Sequence, residues 1–131
     1  MSFEYLPHTA DKKIHAKGNN LAEAFGEGAL AVYNTIVKIK EIKPTKEKTI
    51  KVKSESKEAL LYDFIDELLY IIDTEKFIGS KVKEVKLENN KITITFKGDD
   101  YTNYDHLGDV KAMTYSEMEI KEKEIIFVVD V

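Results

Sequence analysis

Two aspartates stand beside predicted strands in positions where they could hold a cation. Asp11 follows the small residue Ala10 and precedes a strand predicted over 12–17, and Asp130 ends a strand that is otherwise apolar. If the two strands are neighbours, both carboxylates lie at one rim of the sheet. With a backbone carbonyl or the terminal carboxylate of Val131, they would suit a hard divalent cation such as calcium or magnesium. From spacing alone, a turn-forming aspartate that bonds nearby amides is the commoner alternative.

A lysine and the histidines offer further polar groups. Strand parity places Lys111 with Met113 and Tyr115 on a face suited to packing, where a lysine ordinarily lays its stem on apolar neighbours and keeps its ammonium at the rim. His15 alternates with apolar residues and is predicted to be a surface strand residue. His8 and His106 lie in loop-like segments, and each is either an outer partner of a functional group or a bystander.

The chain carries no recognisable enzyme motif. It has no Cys nucleophile, no Gly-rich phosphate loop and no pair of His at metal-ligand spacing. The acidic segment 99–109 resembles a calcium loop only superficially, because a register starting at Asn103 puts Leu107 at a ligand position and Thr114 in place of the bidentate Glu. The sequence therefore predicts a poor enzyme, with no catalytic residues that can be named.

Composition narrows the class of protein. The 131 residues are 43% hydrophobic and include no Cys, which predicts one domain, residues 1–131, with a core that needs neither disulfides nor structural zinc. No apolar run approaches a membrane span and no signal peptide is evident, so we expect a cytoplasmic protein without a membrane partner. All 20 basic residues are Lys and the net charge is -4, which disfavours direct nucleic-acid binding.

Apolar periodicity predicts the elements that position these groups. One helix begins at a capping box of Asn20 and Glu23 and ends near Val37, and a second spans 57–74 behind Ser54 or Ser56. Strands are predicted at 50–52, at 82–87 and 92–96 around an Asn-Asn hairpin turn, and at 110–120 and 125–129. Lysines at 46–53 are typical of a protected edge strand, and the wholly apolar last strand should be central. The fold class is α+β, a two-layer sandwich of mostly antiparallel β-sheet with two amphipathic helices.

Five strings, taken together and in this order, resemble the archease family from residue 3 to 131. They are His8-Thr9-Ala10-Asp11, Ile14-His15-Ala16-Lys17-Gly18, Phe64-Ile65-Asp66-Glu67-Leu68-Leu69-Tyr70, Val110-Lys111-Ala112-Met113-Thr114-Tyr115 and Val128-Val129-Asp130-Val131.

The resemblance implies a metal-binding accessory protein of tRNA splicing. Such a protein activates a GTP-dependent RNA ligase of the RtcB type, promoting transfer of GMP onto the ligase's active-site histidine and multiple turnover, and meets tRNA only through the ligase. The resemblance also implies that Asp11 and Asp130 bind the metal, with calcium as the expected ion. Lys111 then corresponds to the functionally important lysine. The predicted metal site is thus Asp11, Asp130 and Val131, and ligase activation depends on Asp11, Lys111 and Asp130.

Three other functions stay open on this sequence. The chain could be a chaperone-like modulator of another RNA-processing enzyme, such as a tRNA methyltransferase. It could be a small metal-dependent hydrolase that uses Asp11, Asp130 and Lys111, although it offers no clear His or Cys base. It could also be a purely structural interaction domain, which would tolerate loss of both aspartates.

Overall fold

Two helices pack against two antiparallel sheets in the computed structural model, which describes residues 1–8 and 10–131. Thr9, part of the first family-like string, lies outside the described residues. The strands are β1 (Ser2–Leu6), β2 (Lys12–Lys17), β3 (Lys46–Lys53), β4 (Phe77–Glu88), β5 (Lys91–Asp100), β6 (Ala112–Met113), β7 (Glu119–Ile120) and β8 (Glu124–Asp130), and the helices are α1 (Leu21–Ile36) and α2 (Lys57–Glu75). The first sheet has the order β1-β2-β8-β6 with β7 also on β8, and the second has the order β3-β5-β4. This architecture confirms the predicted α+β sandwich.

Helix α1 begins at the predicted cap, with one change in its partner. The Asn20 side chain accepts the Glu23 N–H at 2.9 Å, but the Glu23 carboxylate accepts the N–H of Asn19, at 3.1 Å, and not that of Asn20. The apolar stripe of α1 is buried and includes Phe25 and Tyr33. Helix α1 contacts β2 in the first sheet and β4 in the second, so it links the two sheets into one core.

Helix α2 covers the second sheet and lies beside β6. Ser56 is its N-cap and accepts the Ala59 N–H at 3.0 Å, and Lys76 ends it in the left-handed conformation. Phe64 stacks on Phe25 of α1 at 6.0 Å, while most of the acidic residues of α2 are exposed. Of the helices that the structure describes, neither is long and apolar enough to cross a membrane.

The hairpin and the edge strand form as the sequence predicts. Asn89 and Asn90 join β4 to β5 with φ values of 51° and 56°, the left-handed pair that a two-residue hairpin turn requires. The Lys-rich strand β3 lies at the edge of the second sheet. Strand β8 lies between β2 and β6, with Phe127, Val128 and Val129 fully buried, as expected of a central strand.

The prediction of one continuous strand over 110–120 is wrong. Only the short strands β6 and β7 form there, both paired with β8, and a turn separates them. The Thr114 hydroxyl donates to the Val128 carbonyl at 2.8 Å and accepts the Ser116 N–H at 3.2 Å, so side-chain bonds replace the backbone ladder at this point. The sequence analysis also missed β1, which pairs with β2 at the edge of the first sheet.

A buried hydroxyl in the core gives a stability prediction. Tyr33 is fully buried, its ring packs edge-on to Phe96 at 5.4 Å, and its hydroxyl has no hydrogen-bond partner among the described residues. Burial raises the pKa of Tyr33 well above its ordinary value. Because Tyr33→Phe removes an unsatisfied polar atom and keeps the ring, we expect the free energy of unfolding to rise by about 1 kcal/mol in denaturant titrations.

Tyr5 provides the matched control for this substitution. Its hydroxyl donates to the Ala31 carbonyl at 2.8 Å and accepts from the Asn34 amide at 3.1 Å. Tyr5→Phe should therefore lower the free energy of unfolding by about 1 kcal/mol. A destabilised Tyr33→Phe protein would show that the Tyr33 hydroxyl is satisfied in solution.

Candidate metal centre

Strand pairing brings Asp11 and Asp130 to the same rim of the first sheet. Strands β2 and β8 are antiparallel neighbours, and their pairing ends with Lys12 opposite Val129. Asp11 directly precedes Lys12 and Asp130 directly follows Val129, so the two aspartates occupy the next register position, and both are half-buried. The structure thus meets the condition on which the sequence-based metal site depended.

Lys111 lies on the other side of Asp130. Ala112 of β6 pairs with Asp130, and the Lys111 N–H donates to the Asp130 carbonyl at 2.7 Å. The Lys111 side chain is exposed, whereas Met113, expected on the same face, is buried. Across the rim the order is therefore Asp11, Asp130, Lys111, with Val131 next along the chain and 37% exposed.

The charged groups at this rim are not used for structural ion pairing. Of the eight ion pairs among described residues, none involves Asp11, Asp130 or Lys111. Asp100 shows what a turn-forming aspartate does here, because its carboxylate accepts the Thr102 N–H at 2.9 Å. No described donor makes a comparable bond to Asp11 or Asp130, so the turn-forming alternative gains no support from the described contacts.

The ligand atoms available at the rim are of the chemical type that a hard cation prefers. Asp11 and Asp130 offer carboxylate oxygens, which calcium and magnesium prefer. In residues 1–8 and 10–131, no group of three or more His, Cys, Asp or Glu side chains is placed to hold a metal ion. Since calcium takes roughly six to eight oxygen ligands, most of its coordination here would come from backbone oxygens, waters or a partner.

Lys111 also opens onto a small cleft beside α2. The cleft has a volume of about 80 Å³ and is also lined by Asp73, Asp109 and Tyr101. Lys111 therefore shares this cleft with two acidic residues at the protein surface.

A second polar cluster lies close to Asp11 along the chain and joins three elements. The Glu117 carboxylate, in the turn between β6 and β7, accepts from His8 Nε2 at 2.8 Å and from Lys13 Nζ at 3.2 Å. The hydrogen bond from His8, and next that from Lys13, holds the pKa of Glu117 below its ordinary value. The stabilising contribution of Glu117 is therefore present at neutral pH and is lost as the pH falls through its lowered pKa. Sequence analysis left His8 undecided, and no sequence feature singled out Glu117.

The remaining candidates from the sequence have structural roles. Asp99 accepts from the Tyr104 hydroxyl at 2.6 Å and from Thr45 at 3.0 Å, and these bonds, that of Tyr104 first, hold its pKa below the ordinary value. His106 stacks on Tyr101 at 4.6 Å. His15 bridges two carboxylates of the first sheet and is more buried than the predicted surface residue, with 14% of its side chain exposed.

A larger surface groove lies away from these residues. It runs between α1 and β4 with a volume of about 590 Å³ and includes Glu27, whose pKa is raised by burial. Its walls contain none of the candidate site residues. We therefore place the candidate site at the rim, where strand pairing brings the two selected aspartates together, and not in this groove.

Relatives of known family match nearly the whole chain. The model of the Archease protein family (MTH1598/TM1083) matches residues 3–131. Protein archease of Pyrobaculum neutrophilum is 36% identical over 126 residues, which cover 92% of this chain and 86% of the relative. Protein archease of Sulfurisphaera tokodaii is 36% identical over 137 residues, which cover 98% of each chain.

Solved structures of similar proteins share the fold of this chain. Protein 1598 of Methanobacterium thermoautotrophicum, solved in solution, superposes with a TM-score of 0.76 at 27% identity and covers 99% of both chains. The crystal structure of an archease, described as a possible chaperone, from Thermotoga maritima superposes with a TM-score of 0.65 at 22% identity, covering 96% of this chain and 94% of its own, and shows the shared fold. With a family match over residues 3–131 and relatives above 30% identity, this chain belongs to the archease family.

Proposed function

We propose that this chain is a metal-binding accessory protein that activates a GTP-dependent RNA ligase of the RtcB type in tRNA splicing. It promotes guanylylation of the ligase and multiple turnover, and does not join RNA itself. The observation that carries the proposal is the rim of the first sheet, where pairing with β8 puts Asp11 and Lys111 on either side of Asp130. Membership of the archease family supports the same assignment.

Charge supports a protein partner over a direct RNA contact. All basic residues are Lys, so the chain lacks the planar guanidinium fork that recognises phosphates and guanine edges in two-point contacts. The net charge of -4 gives a field that repels a polyanion. In this proposal tRNA is therefore met through the ligase, and the rim faces the nucleotide pocket of the ligase.

The rim residues have two different roles in this proposal. Asp11 and Asp130 would hold the cation, because they are half-buried and adjoin each other at the end of the β2–β8 pairing. When bound, the cation supplies positive charge that stabilises developing negative charge on phosphate oxygens. Lys111 would supply a further positive charge, and its exposed side chain is free to reach a phosphate outside the protein.

The same geometry supports an activator more than a hydrolase. A metal-dependent hydrolase would need a base near Asp11 or Asp130 to activate water. His8 is three residues from Asp11 in sequence, but its Nε2 is bonded to Glu117 and its other ring nitrogen, Nδ1, is buried. Release of phosphate from a simple phosphoester by the isolated protein would favour the hydrolase alternative.

The direct test is single-turnover guanylylation of the cognate ligase. Purified ligase, GTP and a divalent cation are mixed with and without this protein, and the ligase-bound GMP is followed with time. We expect the rate to rise on the order of tenfold or more, because added positive charge stabilises phosphoryl transfer. A ligase that lacks its active-site histidine is the control, and an unchanged rate would contradict the proposal.

Exposed tyrosines favour a second candidate, a chaperone-like modulator of another RNA-processing enzyme such as a tRNA methyltransferase. Tyr115 is 56% exposed and stacks on Tyr62 of α2 at 4.4 Å, and Tyr70 of the same helix is 61% exposed. Aromatic side chains of this kind are enriched in protein interfaces whatever the partner. Affinity capture from native extract, with the ligase and the methyltransferase quantified separately, distinguishes the two candidates.

A further inference from the structure

Glu117 fastens the stretch that carries Asp11 from both sides. Its Oε2 accepts from His8 Nε2 at 2.8 Å and its Oε1 accepts from Lys13 Nζ at 3.2 Å. His8 precedes Asp11 by three residues and Lys13 follows it by two. Both oxygens of one carboxylate therefore hold the segment on which Asp11 lies, just where the β2–β8 pairing ends.

The turn that carries Glu117 is itself attached to the strand of Asp130. The Thr114 hydroxyl donates to the Val128 carbonyl at 2.8 Å, and the Ser116 N–H donates to the Thr114 hydroxyl at 3.2 Å. Val128 lies in β8 two residues before Asp130. Through this turn, Glu117 connects the segment of Asp11 to the strand of Asp130 by a route separate from the backbone ladder.

The backbone of Glu117 is held in an unfavourable conformation. Its φ is 52°, in the left-handed region that side chains other than Gly, Asn and Asp seldom adopt. Such strain persists where surrounding contacts enforce it, and it is concentrated at functional sites. The described contacts of the Glu117 side chain that can enforce this conformation are its bonds to His8 and Lys13.

His8 depends on Glu117 for its orientation. An ionised carboxylate only accepts hydrogen bonds, so His8 Nε2 is the donor in the bond to Glu117. Nδ1 is buried and has no hydrogen-bond partner among the described residues. Within that part of the chain, the bond to Glu117 is thus the polar contact that orients the ring.

We propose that Glu117 is a positioning residue that sets the separation of the Asp11 and Asp130 carboxylates and thereby the calcium affinity of the rim. The inference rests on the proposed function, because it requires these two aspartates to hold a cation. Outer groups that orient metal ligands typically contribute tenfold to a hundredfold in affinity. Glu117 would act less directly, because it contacts His8 and Lys13 and not Asp11 itself. Its effect would reach Asp11 through the main chain between those two residues.

Calcium calorimetry on the isolated protein tests the affinity. Glu117→Gly should weaken calcium binding by about tenfold to a hundredfold. The thermal midpoint without calcium should stay close to that of the wild type, because the strain that glycine relieves at this positive φ offsets the lost bonds to His8 and Lys13. A merely structural role would lower the midpoint and the affinity together. Glu122→Gln removes one exposed charge in the turn before β8 and serves as the control, with less than a twofold change expected.

Two substitutions at His8 test the geometry without changing a carboxylate. His8→Gln keeps an N–H donor that can reach the Glu117 carboxylate, whereas His8→Leu removes the donor and fills similar space. We expect His8→Leu to weaken calcium binding by about tenfold and His8→Gln to restore most of it. Equal affinities for the two variants would overturn the role assigned to this bond.

A measurement without calcium tests the fastening itself. Amide hydrogen exchange at residues 10–13 should become severalfold faster in Glu117→Gly and stay unchanged in Glu122→Gln, because only the former frees the segment. Unchanged exchange in Glu117→Gly would overturn the positioning role.

If the wild-type protein binds calcium and Glu117→Gly binds it equally well, the positioning role is wrong and the cation site stands. If the wild-type protein binds no calcium, the cation site of the proposed function is wrong.

Discussion

Asp130→Asn should remove the stimulation of ligase guanylylation and leave the fold intact. Asp130 lies at the centre of the rim, paired on one side with Ala112 and adjacent on the other to the position of Asp11. Asparagine has the same shape, but its neutral oxygen is a much weaker ligand for a hard cation than a carboxylate. We expect calcium affinity to fall by about a hundredfold or more, since even outer partners of a metal ligand are worth up to that much. Single-turnover guanylylation and calcium calorimetry measure the two effects.

The substitution spares the bonds that build the rim. The Lys111 N–H donates to the main-chain carbonyl of residue 130, which the change of side chain retains. The thermal midpoint should therefore stay close to that of the wild type. Asp66→Asn, on the exposed side of α2, removes the same formal charge at another site and should stimulate normally. An Asp130→Asn protein that stimulates the ligase as well as Asp66→Asn would refute the cation mechanism.

Local signals made most of the secondary structure predictable. Ser56 as a cap followed by an apolar stripe, and Asn89 with Asn90 between two alternating segments, specify a helix start and a hairpin turn within a few residues of sequence. Strand β8 could be placed at the centre of its sheet because a strand apolar on both faces needs neighbours on both sides. Each of these inferences depends on chemistry contained in one short segment.

The errors arose where distant residues decide the local conformation. The turn after β6 forms because the Thr114 hydroxyl bonds to the carbonyl of Val128, a partner that alternation within 110–120 cannot reveal. The same turn puts Glu117 in a left-handed conformation and brings its carboxylate to His8, more than a hundred residues away in sequence. Alternation favoured one long strand here because it records burial along a segment and not the bonds that interrupt it.

The sequence could predict the candidate site only on the condition that β2 and β8 pair. The sequence could select Asp11 and Asp130 as strand-end carboxylates, but their meeting required β2 and β8 to pair, and pairing between remote strands is a tertiary property. Lys111 was expected on a packing face with Met113, yet it precedes the strand and its side chain is exposed. A lysine that is exposed in this way is accessible to a partner, whereas one packed into the core is not.

The largest effect on stability is expected at Gly98, where two strands approach each other too closely for a side chain. Gly98 of β5 pairs with Gly79 of β4, next to an irregularity in the ladder. A Cβ on Gly98 would lie 1.9 Å from the carbonyl oxygen of Ile78 and 2.8 Å from the Cα of Gly79. Both are backbone atoms, so no change of rotamer relieves the clash and the strands must separate. We expect Gly98→Ala to lower the free energy of unfolding by about 3 kcal/mol or more in denaturant titrations.

Gly108→Ala is the matched control, because it makes the same chemical change in open space. A Cβ at Gly108 would meet only the Thr35 carbonyl oxygen, at 3.7 Å, and neither glycine has a positive φ. Gly108→Ala should therefore leave stability within about 0.5 kcal/mol, with a slight gain because alanine restricts the unfolded chain. Since Gly98 lies in the second sheet and the rim in the first, the folded fraction of Gly98→Ala should still bind calcium. Equal stabilities for the two variants would mean that β4 and β5 are further apart at Gly79 than the structure shows.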